Sequence, residues 1–300
     1  MNIFSALKGK INSNKIQIFE KLGICKEYTE IVELDITPEF DSNQKYNGLD
    51  DGSYFVQKVI KFSSEYFVIV SAVLLEYGFH DDSWEDDDLV NDYDNGRVSL
   101  EIERIAHRIR TIYLSGWFHG SSAEMSIPVK VVLGIAGLSR LEGRTLSINN
   151  QMFLEGYLNE QEGNMRSAFF SFFSAFESYV VKKIDEISIC FPKELRESMT
   201  KLSLKDKISL CFRETFKGTG CGVYPDINLE SIESYKYAFP RFCNHIETRN
   251  KIAHGTLLRD IEADDVYDVF AIVLIMIVSI DQQMMTIKEI RDYLLVGMAS

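Results

Sequence analysis

Arginine, asparagine and histidine side chains occur together in one short polar stretch, residues 247–255, with the sequence Glu-Thr-Arg-Asn-Lys-Ile-Ala-His-Gly. On a helix that turns about 100° per residue, Asn250 and His254 share one face, and Arg249 and Ala253 share the adjacent face. Gly255 is a typical residue for ending a helix. The spacing therefore predicts that His254 lies in a terminal helical turn, where its ring can point toward Arg249.

These residue types suit chemistry on a phosphate. The guanidinium of Arg249 is permanently charged, whereas an imidazole such as that of His254 titrates near neutral pH. An arginine can hold a phosphate and the negative charge of its transition state while a histidine moves a proton. In the alternative interpretation, the two side chains simply finish a helix, with the cation paired to an acid and the imidazole bound to carbonyl groups.

An acidic partner for this stretch is predicted on an upstream aromatic helix, residues 165–184. Its apolar residues form two stripes, and the pattern predicts burial on two sides. The first stripe contains Phe169, Phe172, Phe176 and Val180, and the second contains Phe170, Phe173, Val181 and Ile184. Glu177 is the one acid of this segment and lies between Phe173 and Val181. Because an unpaired buried carboxylate is costly, we expect a cationic partner, and Arg249 is the best candidate.

Composition restricts what such a site can bind. The chain of 300 residues is 46% hydrophobic and 26% charged, which predicts globular structure, and its length favours two domains. The net charge of −13 argues against a broad basic surface for nucleic acid, so a polyanion would have to bind a local patch. More than half of that charge comes from acidic residues within 81–94, namely Asp81, Asp82, Glu85, Asp86, Asp87, Asp88, Asp92 and Asp94. They lack the ordered pattern of a calcium loop, which favours a solvated acidic loop.

Cysteine usage and hydropathy predict a cytoplasmic protein. The five cysteines are widely spaced and form no Cys-x-x-Cys pair, which favours reduced thiols over disulfides or a zinc site. The first 23 residues have scattered lysines and no continuous apolar core, so they predict an amphipathic helix and not a signal peptide. The apolar run from Val269 to Ile280 is too short to cross a bilayer and predicts a buried helix. Neither a cofactor, a metal nor a membrane contact is predicted.

Periodicity predicts an α+β protein that changes character near residue 140. Residues 1–140 read as a β-rich domain with a helix at its front, a sensor or regulatory domain for the second half of the chain. Strands are predicted at 30–36, 54–62, 66–77, 98–103, 108–118 and 126–135. Ser63 and Ser64 suggest a hairpin or meander between the second and third strands. Residues 101–114 are equally compatible with a helix.

Residues 145–297 read as an all-helical bundle. Helices are predicted at 152–159, 165–184, 192–200, 203–216 with Ser203 as N-cap, 229–252, and 260–295. Pro240 is expected to interrupt the helix of residues 229–252, because proline removes a backbone donor. The glycine-rich segment 218–222 predicts a connection and not a phosphate-binding loop, because no strand precedes it and no Lys-Ser/Thr pair follows it.

The helical half resembles the HEPN superfamily (higher eukaryotes and prokaryotes nucleotide-binding domains). Arg249-Asn250-Lys251-Ile252-Ala253-His254 matches that family's signature of an arginine, a polar residue, further residues and a histidine. The helix containing Ala175-Phe176-Glu177, with Glu162-Gly163-Asn164 and residues 152–159 before it, is similar to the family's first core helices. The resemblance spans roughly residues 145–297 and does not include the N-terminal half.

The resemblance implies a bundle of four or five helices that forms a homodimer and brings two Arg-His motifs to one cleft. It implies a metal-independent endoribonuclease of a toxin, CRISPR-associated or abortive-infection antiviral system, with a possible antitoxin or phage-derived trigger. RNA would be cleaved by its own 2′-hydroxyl. His254 would act as general acid or base, Arg249 would bind the scissile phosphate, Asn250 would orient them, and Glu177 would hold Arg249 or His254. The alternative is a non-catalytic dimerising module that binds a nucleotide or a partner protein.

The other histidines are weaker candidates for a functional site. His245 lies one turn before Arg249 and either enlarges a basic cleft or is a satisfied surface histidine. His107 and His119 lie near Arg104, Arg108 and Arg110 in the β-rich half, a pattern more typical of a solvated face than of an RNA track. His80, beside Asp81 and Asp82, has no second histidine nearby that would favour a metal site.

Overall fold

A computed structural model shows two compact units, one formed by residues 25–142 and the other by residues 1–24 together with 143–300. It describes residues 3–37, 52–62, 66–79, 98–120, 129–139, 145–217, 227–256 and 260–296. The predicted α+β class is confirmed, with antiparallel sheets in the first half and helices in the second. The acidic segment 81–94, His80 and the glycine-rich segment 218–222 lie outside the described residues.

The described residues of the β unit form two three-stranded antiparallel sheets. Its strands are β1 (Lys26–Ile36), β2 (Gly52–Lys61), β3 (Tyr66–Phe79), β4 (Val98–Ala106), β5 (Thr111–Gly120) and β6 (Val129–Ser139). One sheet has the order β1-β6-β3 and the other the order β2-β5-β4. Both sheets contribute to one core, which includes Ile36, Ile69 and Leu133 from the first sheet and Ile60 and Leu114 from the second. β6 lies between β1 and β3, and its side chains are alternately buried and partly buried along most of its length.

Strand pairing differs from two local expectations. β2 and β3 do not form the suggested hairpin: β2 pairs with β5, and β3 pairs with β6. In both cases the partner strand lies far along the chain. Residues 101–114, compatible with a helix in sequence, instead form a strand, a 3-10 turn at His107–Ile109 and a second strand. Arg110 closes that turn with the left-handed φ of 54°.

The helical unit begins with the first residues of the chain, which corrects the predicted boundary. α1 (Ile3–Ser13) and α2 (Lys15–Lys21) were expected at the front of the β-rich domain, yet they pack with the later helices. Phe19 is fully buried against Phe153 and Phe270. The Lys15 ammonium lies 2.5 Å from the Glu160 carboxylate and 4.9 Å from the Phe270 ring centre. Burial of the apolar sides of α1 and α2 therefore requires helices more than 120 residues away in sequence.

The remaining helices form an aromatic core around α4. They are α3 (Ile148–Gln161), α4 (Met165–Ser188), α5 (Lys193–Thr200), α6 (Leu204–Phe216), α7 (Glu233–Ala253), α8 (Ala263–Gln282) and α9 (Ile287–Leu295). The Phe173 ring stacks on Phe242 of α7 with centroids 5.0 Å apart, and Phe172 lies 4.8 Å from Phe270 of α8. α3 approaches so closely that a Cβ on Gly156 would lie 2.5 Å from the Phe172 ring. The glycine is required for this packing.

Three helix predictions need correction. α7 continues through Pro240, because Pro240 and Lys236 are both exposed and water can satisfy the Lys236 carbonyl that proline leaves unbound. The segment predicted as one final helix is divided into α8 and α9 after Gln283, which has a left-handed φ of 53°. Burial of α4 on two sides is only partial, since Val181 is 47% exposed. The burial of residues 269–280 and the N-cap at Ser203 are confirmed.

Candidate functional site

The polar stretch ends α7 as its spacing predicts. The helix ends at Ala253, with His254 as C-cap and Gly255 at a φ of +66°. The Gly255 amide donates to the Ile252 carbonyl, and the Thr256 amide donates to the Lys251 carbonyl. This pair of bonds is a Schellman motif, which satisfies carbonyl groups that would otherwise lack a donor. Gly255 therefore fixes where the helix stops and where His254 stands.

Arg249 is held by three neighbours at the end of α7. Its Nη2 lies 3.6 Å from Oε2 of Glu177 on α4, and its Nη1 donates to Oδ1 of Asn250 at 3.2 Å. The guanidinium carbon lies 5.8 Å from the centre of the Phe173 ring. The arginine retains solvent access, because its side chain is 38% exposed. Glu177 and Arg249 are thus neighbours, as the sequence predicts.

The Glu177 carboxylate occupies an unfavourable position. Burial raises the pKa of Glu177 above its usual range, and the positive charge of Arg249 lowers it only in part. The ion pair is longer than a hydrogen bond, and each side chain is about one-third exposed. A pair of this kind contributes little to stability. The ion pair between Glu177 and Arg249 nevertheless orients the Arg249 guanidinium on the surface between α4 and α7.

His254 is exposed and stands apart from Arg249. Within the described part of the chain, no hydrogen bond or ion pair joins its ring to Arg249, Glu177 or Asn250. Five residues along a helix rotate a side chain about 140° away, which explains the separation. The ring does share a face with Asn250, whose backbone carbonyl accepts from the His254 amide. The structure places Arg249, Asn250 and Glu177 together and puts His254 at the edge of that group.

His245 has a different environment from the one the sequence suggested. It is 7% exposed and points into the helical unit, so it is neither a surface histidine nor part of an open cleft. Its Nε2 lies 2.9 Å from Oδ2 of Asp268 on α8, and its ring meets Phe169 edge-on. His245 therefore joins α7 to α8 one turn before Arg249.

Asp268 is the residue of this region that sequence reasoning missed. Besides His245, it accepts a hydrogen bond from the Lys8 ammonium of α1 at 2.7 Å, and Arg241 lies 3.7 Å away. Burial alone would raise the pKa of Asp268, but the hydrogen bonds from His245 and Lys8 lower it to about 2. Its position beside the longest apolar run was the available signal, since an acid there requires partners.

The side chain of His119 lies, like His80, outside the described part of the chain, and His107 provides no second candidate. His107 makes a structural contact, because its Nδ1 lies 2.7 Å from the Ile69 carbonyl. The nearby Arg104 guanidinium stacks over Tyr113, with 4.3 Å between its carbon and the ring centre. The described residues contain no group of three metal-binding side chains. Among the helices of those same residues, none has the length and hydropathy to cross a membrane.

Comparison of the chain with protein-family models, with characterised proteins and with solved structures finds no match.

Proposed function

We propose that the helical unit is a metal-independent endoribonuclease that cleaves RNA by attack of the 2′-hydroxyl, as an effector of bacterial antiviral defence or as a toxin. The proposal depends on one observation: Arg249 is oriented by a destabilised carboxylate, Glu177, at the helix end that also carries Asn250 and His254. Ionisable groups with shifted pKa values that face solvent are typical of functional sites. The HEPN-like order of these residues supplies the reaction class.

Each side chain has a role that its position allows. Arg249, with its exposed guanidinium edge, binds the scissile phosphate and stabilises the charge that develops on it. His254 exchanges a proton with the 2′-hydroxyl or with the leaving oxygen. Asn250 orients the arginine through its Oδ1, and Glu177 holds the other side of the guanidinium. Attack by a 2′-hydroxyl leaves a 2′,3′-cyclic phosphate and a 5′-hydroxyl, so DNA is not a substrate.

A second copy of the chain would complete this site. One motif presents a single arginine and a single histidine, and the carbonyl end of α7 repels a phosphate. A homodimer that places two motifs in one cleft doubles the cationic groups around the RNA. This arrangement follows from the resemblance, and it also accounts for how a chain of net charge −13 binds RNA locally.

The alternative function is a non-catalytic dimerising module for a nucleotide or a partner protein. The observation that favours it is the separation of His254 from Arg249 in the described chain, together with the ion pair that already occupies Arg249. In this case Arg249 and Glu177 only join α7 to α4. The two functions make opposite predictions for His254.

The test compares His254→Ala and Arg249→Ala with a matched control, Lys251→Ala, which removes an exposed charge from the same turn. The purified proteins are incubated with a fluorescent single-stranded RNA and with DNA of the same sequence. The enzyme is expected to cleave only RNA, and each of the first two substitutions should lower the rate by about 10²–10⁴-fold. Sedimentation should show a dimer for all variants. Unchanged cleavage by His254→Ala would overturn the catalytic role proposed for this residue, whereas a dimer that cleaves no RNA supports the binding module.

A further inference from the structure

Burial along α4 is uneven, and one face of the helix stays partly exposed. Of its five phenylalanines, Phe169, Phe172, Phe173 and Phe176 are at most 1% exposed, whereas Phe170 is only half-buried. Successive spacings of four, four and three residues place four side chains on this face, which we call the exposed face of α4. It consists of the exposed Arg166 and the half-buried Phe170, Ser174 and Glu177. A partly exposed aromatic ring therefore lies between an arginine and the acidic member of the candidate site.

The exposed face of α4 extends from the candidate site to the first turn of the helix. At one end, the Glu177 carboxylate lies 3.6 Å from the Arg249 guanidinium. At the other end, Arg166 is the second residue of α4. At the rise of an α-helix, Arg166 and Glu177 are about 16 Å apart along the axis. A stacked single strand of about five nucleotides covers that length.

The C-terminal end of α7 and the first turn of α4 lie at the same end of the helical unit. The His245 ring meets Phe169, whereas Phe242, about one turn earlier on α7, meets Phe176. The two helices are therefore antiparallel, and the residues that follow His245 run toward the turn that carries Arg166. A strand bound at the end of α7 can thus continue along α4 toward that arginine.

The charge along this face is positive although the chain is strongly acidic. Glu177 already has Arg249 as its neighbour, while Arg166 forms no hydrogen bond or ion pair within the part of the chain that the structure describes. The two arginines outweigh the one carboxylate, in a chain of net charge −13. Val181 continues the face beyond Glu177, but it lies about 16 Å from Phe170 along the helix, too far for a continuous apolar patch. The surface therefore suits a polyanion with flat rings better than an apolar protein surface.

We propose that the exposed face of α4 binds single-stranded RNA, with an unpaired base stacked on Phe170 and a phosphate held by Arg166 about five nucleotides from the phosphate at Arg249. Proteins that hold single strands combine cationic groups for the backbone with aromatic rings for the bases. The bases of a duplex are stacked on one another and cannot reach a ring on a helix surface. The inference deepens the function proposed for α7 and rests on it for the phosphate at Arg249.

The first test measures binding of a labelled twelve-nucleotide RNA to the full chain by fluorescence polarisation. Fluorine replaces the 2′-hydroxyls of this RNA, so the proposed reaction cannot cleave it during the measurement. The single strand is expected to bind, and the same strand in a duplex should bind about tenfold more weakly, because paired bases cannot stack on Phe170. Equal affinity for the duplex, or no binding of the single strand at about 0.1 mM protein, would contradict the proposal.

Substitutions on the exposed face of α4 give the matched variants. Phe170→Leu keeps an apolar side chain but removes the flat ring and should weaken binding about tenfold, whereas Phe170→Tyr keeps the ring and should keep the affinity. Arg166→Ala should weaken binding about fivefold and make the slope of log affinity against log salt concentration shallower by about 0.7. The controls are Tyr237→Leu, a partly exposed aromatic residue of α7, and Lys182→Ala, an exposed cation of α4 outside this face. Losses as large in the controls, or an unchanged affinity for Phe170→Leu, would overturn the proposal.

Cleavage of unmodified RNA separates this inference from the function on which it rests. Phe170→Leu and Arg166→Ala should raise KM and leave kcat nearly unchanged, because they remove contacts that substrate and transition state share. Binding that depends on both residues without any cleavage would support the RNA surface and overturn the nuclease. Cleavage with an unchanged KM in both variants would overturn the RNA surface and leave the nuclease. A dimer that Phe170→Leu dissociates, measured by sedimentation, would assign the exposed face of α4 to a second copy and overturn the inference.

Discussion

Two carboxylates that face α7 differ in how well the fold satisfies them. Asp268 accepts hydrogen bonds from Lys8 and His245, and its pKa falls to about 2. Glu177 has the Arg249 guanidinium 3.6 Å away, and burial raises the pKa of Glu177. The first carboxylate stabilises the folded chain, whereas the second contributes little or works against it. An unfavourable carboxylate such as Glu177, which lies within α4 beside the exposed end of α7, is expected where function, and not stability, determines the residue.

The two histidines of this helix region show the same difference. His245 is buried and bound to Asp268, and His254 is exposed at the C-cap. A histidine that is enclosed in this way positions helices and has no access to a substrate. An exposed histidine can reach a substrate and has little influence on folding. Variants that separate stability from activity along α7 therefore test the comparison.

The largest effect on stability is expected for His245→Ala. The change removes a buried ring from Phe169 and one hydrogen bond from Asp268, which should lower the free energy of unfolding by about 3 kcal/mol. His254→Ala, at an exposed position, should change it by less than about 0.5 kcal/mol. Urea unfolding at pH 7 measures both. Similar losses for the two variants would remove the distinction between them.

Asp268→Asn is expected to have the next largest effect. The substitution keeps the shape of the side chain but removes the charge that Lys8 and His245 stabilise. A pKa lowered from 3.8 to about 2 corresponds to a loss of about 2 kcal/mol at neutral pH. Asp264→Asn, an exposed change in the first turn of the same helix, is the control and should be nearly neutral. Equal stability of the two variants would show that the Asp268 cluster is not stabilising.

Lowering the pH should remove the stabilising contribution of the Asp268 carboxylate from the unmodified chain. Because folding lowers the pKa of Asp268, its stabilising effect is complete above pH 4 and is lost as the pH falls toward 2. The difference in unfolding free energy between the unmodified chain and Asp268→Asn should therefore shrink over that interval. Denaturation curves at half-unit steps of pH measure it. A constant difference down to pH 2 would assign the effect of the substitution to packing and not to charge.

The sequence predicted the local features of the candidate site better than its surroundings. The helix end at Gly255 and the Glu177–Arg249 pair follow from helical spacing, because they depend on residues of one helix and on one partner that a buried acid requires. The Asp268–Lys8 contact joins residues 260 positions apart, and no periodic pattern encodes such a pairing. The assignment of α1 and α2 to the helical unit was missed for the same reason.

Strand pairing in the β unit is a second case in which local sequence patterns do not predict contacts between distant residues. The strands at 30–36 and 98–103 follow from alternation, and the others follow from their content of β-branched and aromatic residues; both are properties of each segment. Their pairing depends on which faces are buried together, so β2 and β3 were placed in one hairpin although each pairs with a more distant strand. The exposure of Pro240, which lets α7 continue through it, is not visible in the sequence.

The smallest effect on stability is expected for Glu177→Gln, and it tests the comparison most directly. Since burial raises the pKa of Glu177, the folded chain holds this proton more tightly than the unfolded chain does. The contribution of this group to stability is therefore most favourable at low pH and declines as the pH rises through the folded-state pKa. At pH 7 the neutral glutamine should leave stability unchanged or raise it by up to about 0.5 kcal/mol. A double-mutant cycle with Arg249→Ala should give a coupling energy below about 1 kcal/mol, because both side chains are partly exposed.

RNA cleavage by Glu177→Gln, in contrast, should fall about tenfold, since the arginine loses the group that orients it. Asp185→Asn, an exposed change on the same helix, should affect neither property. A loss of about 2 kcal/mol for Glu177→Gln would make this carboxylate a structural partner like Asp268, and the contrast between the two clusters would no longer indicate a functional site.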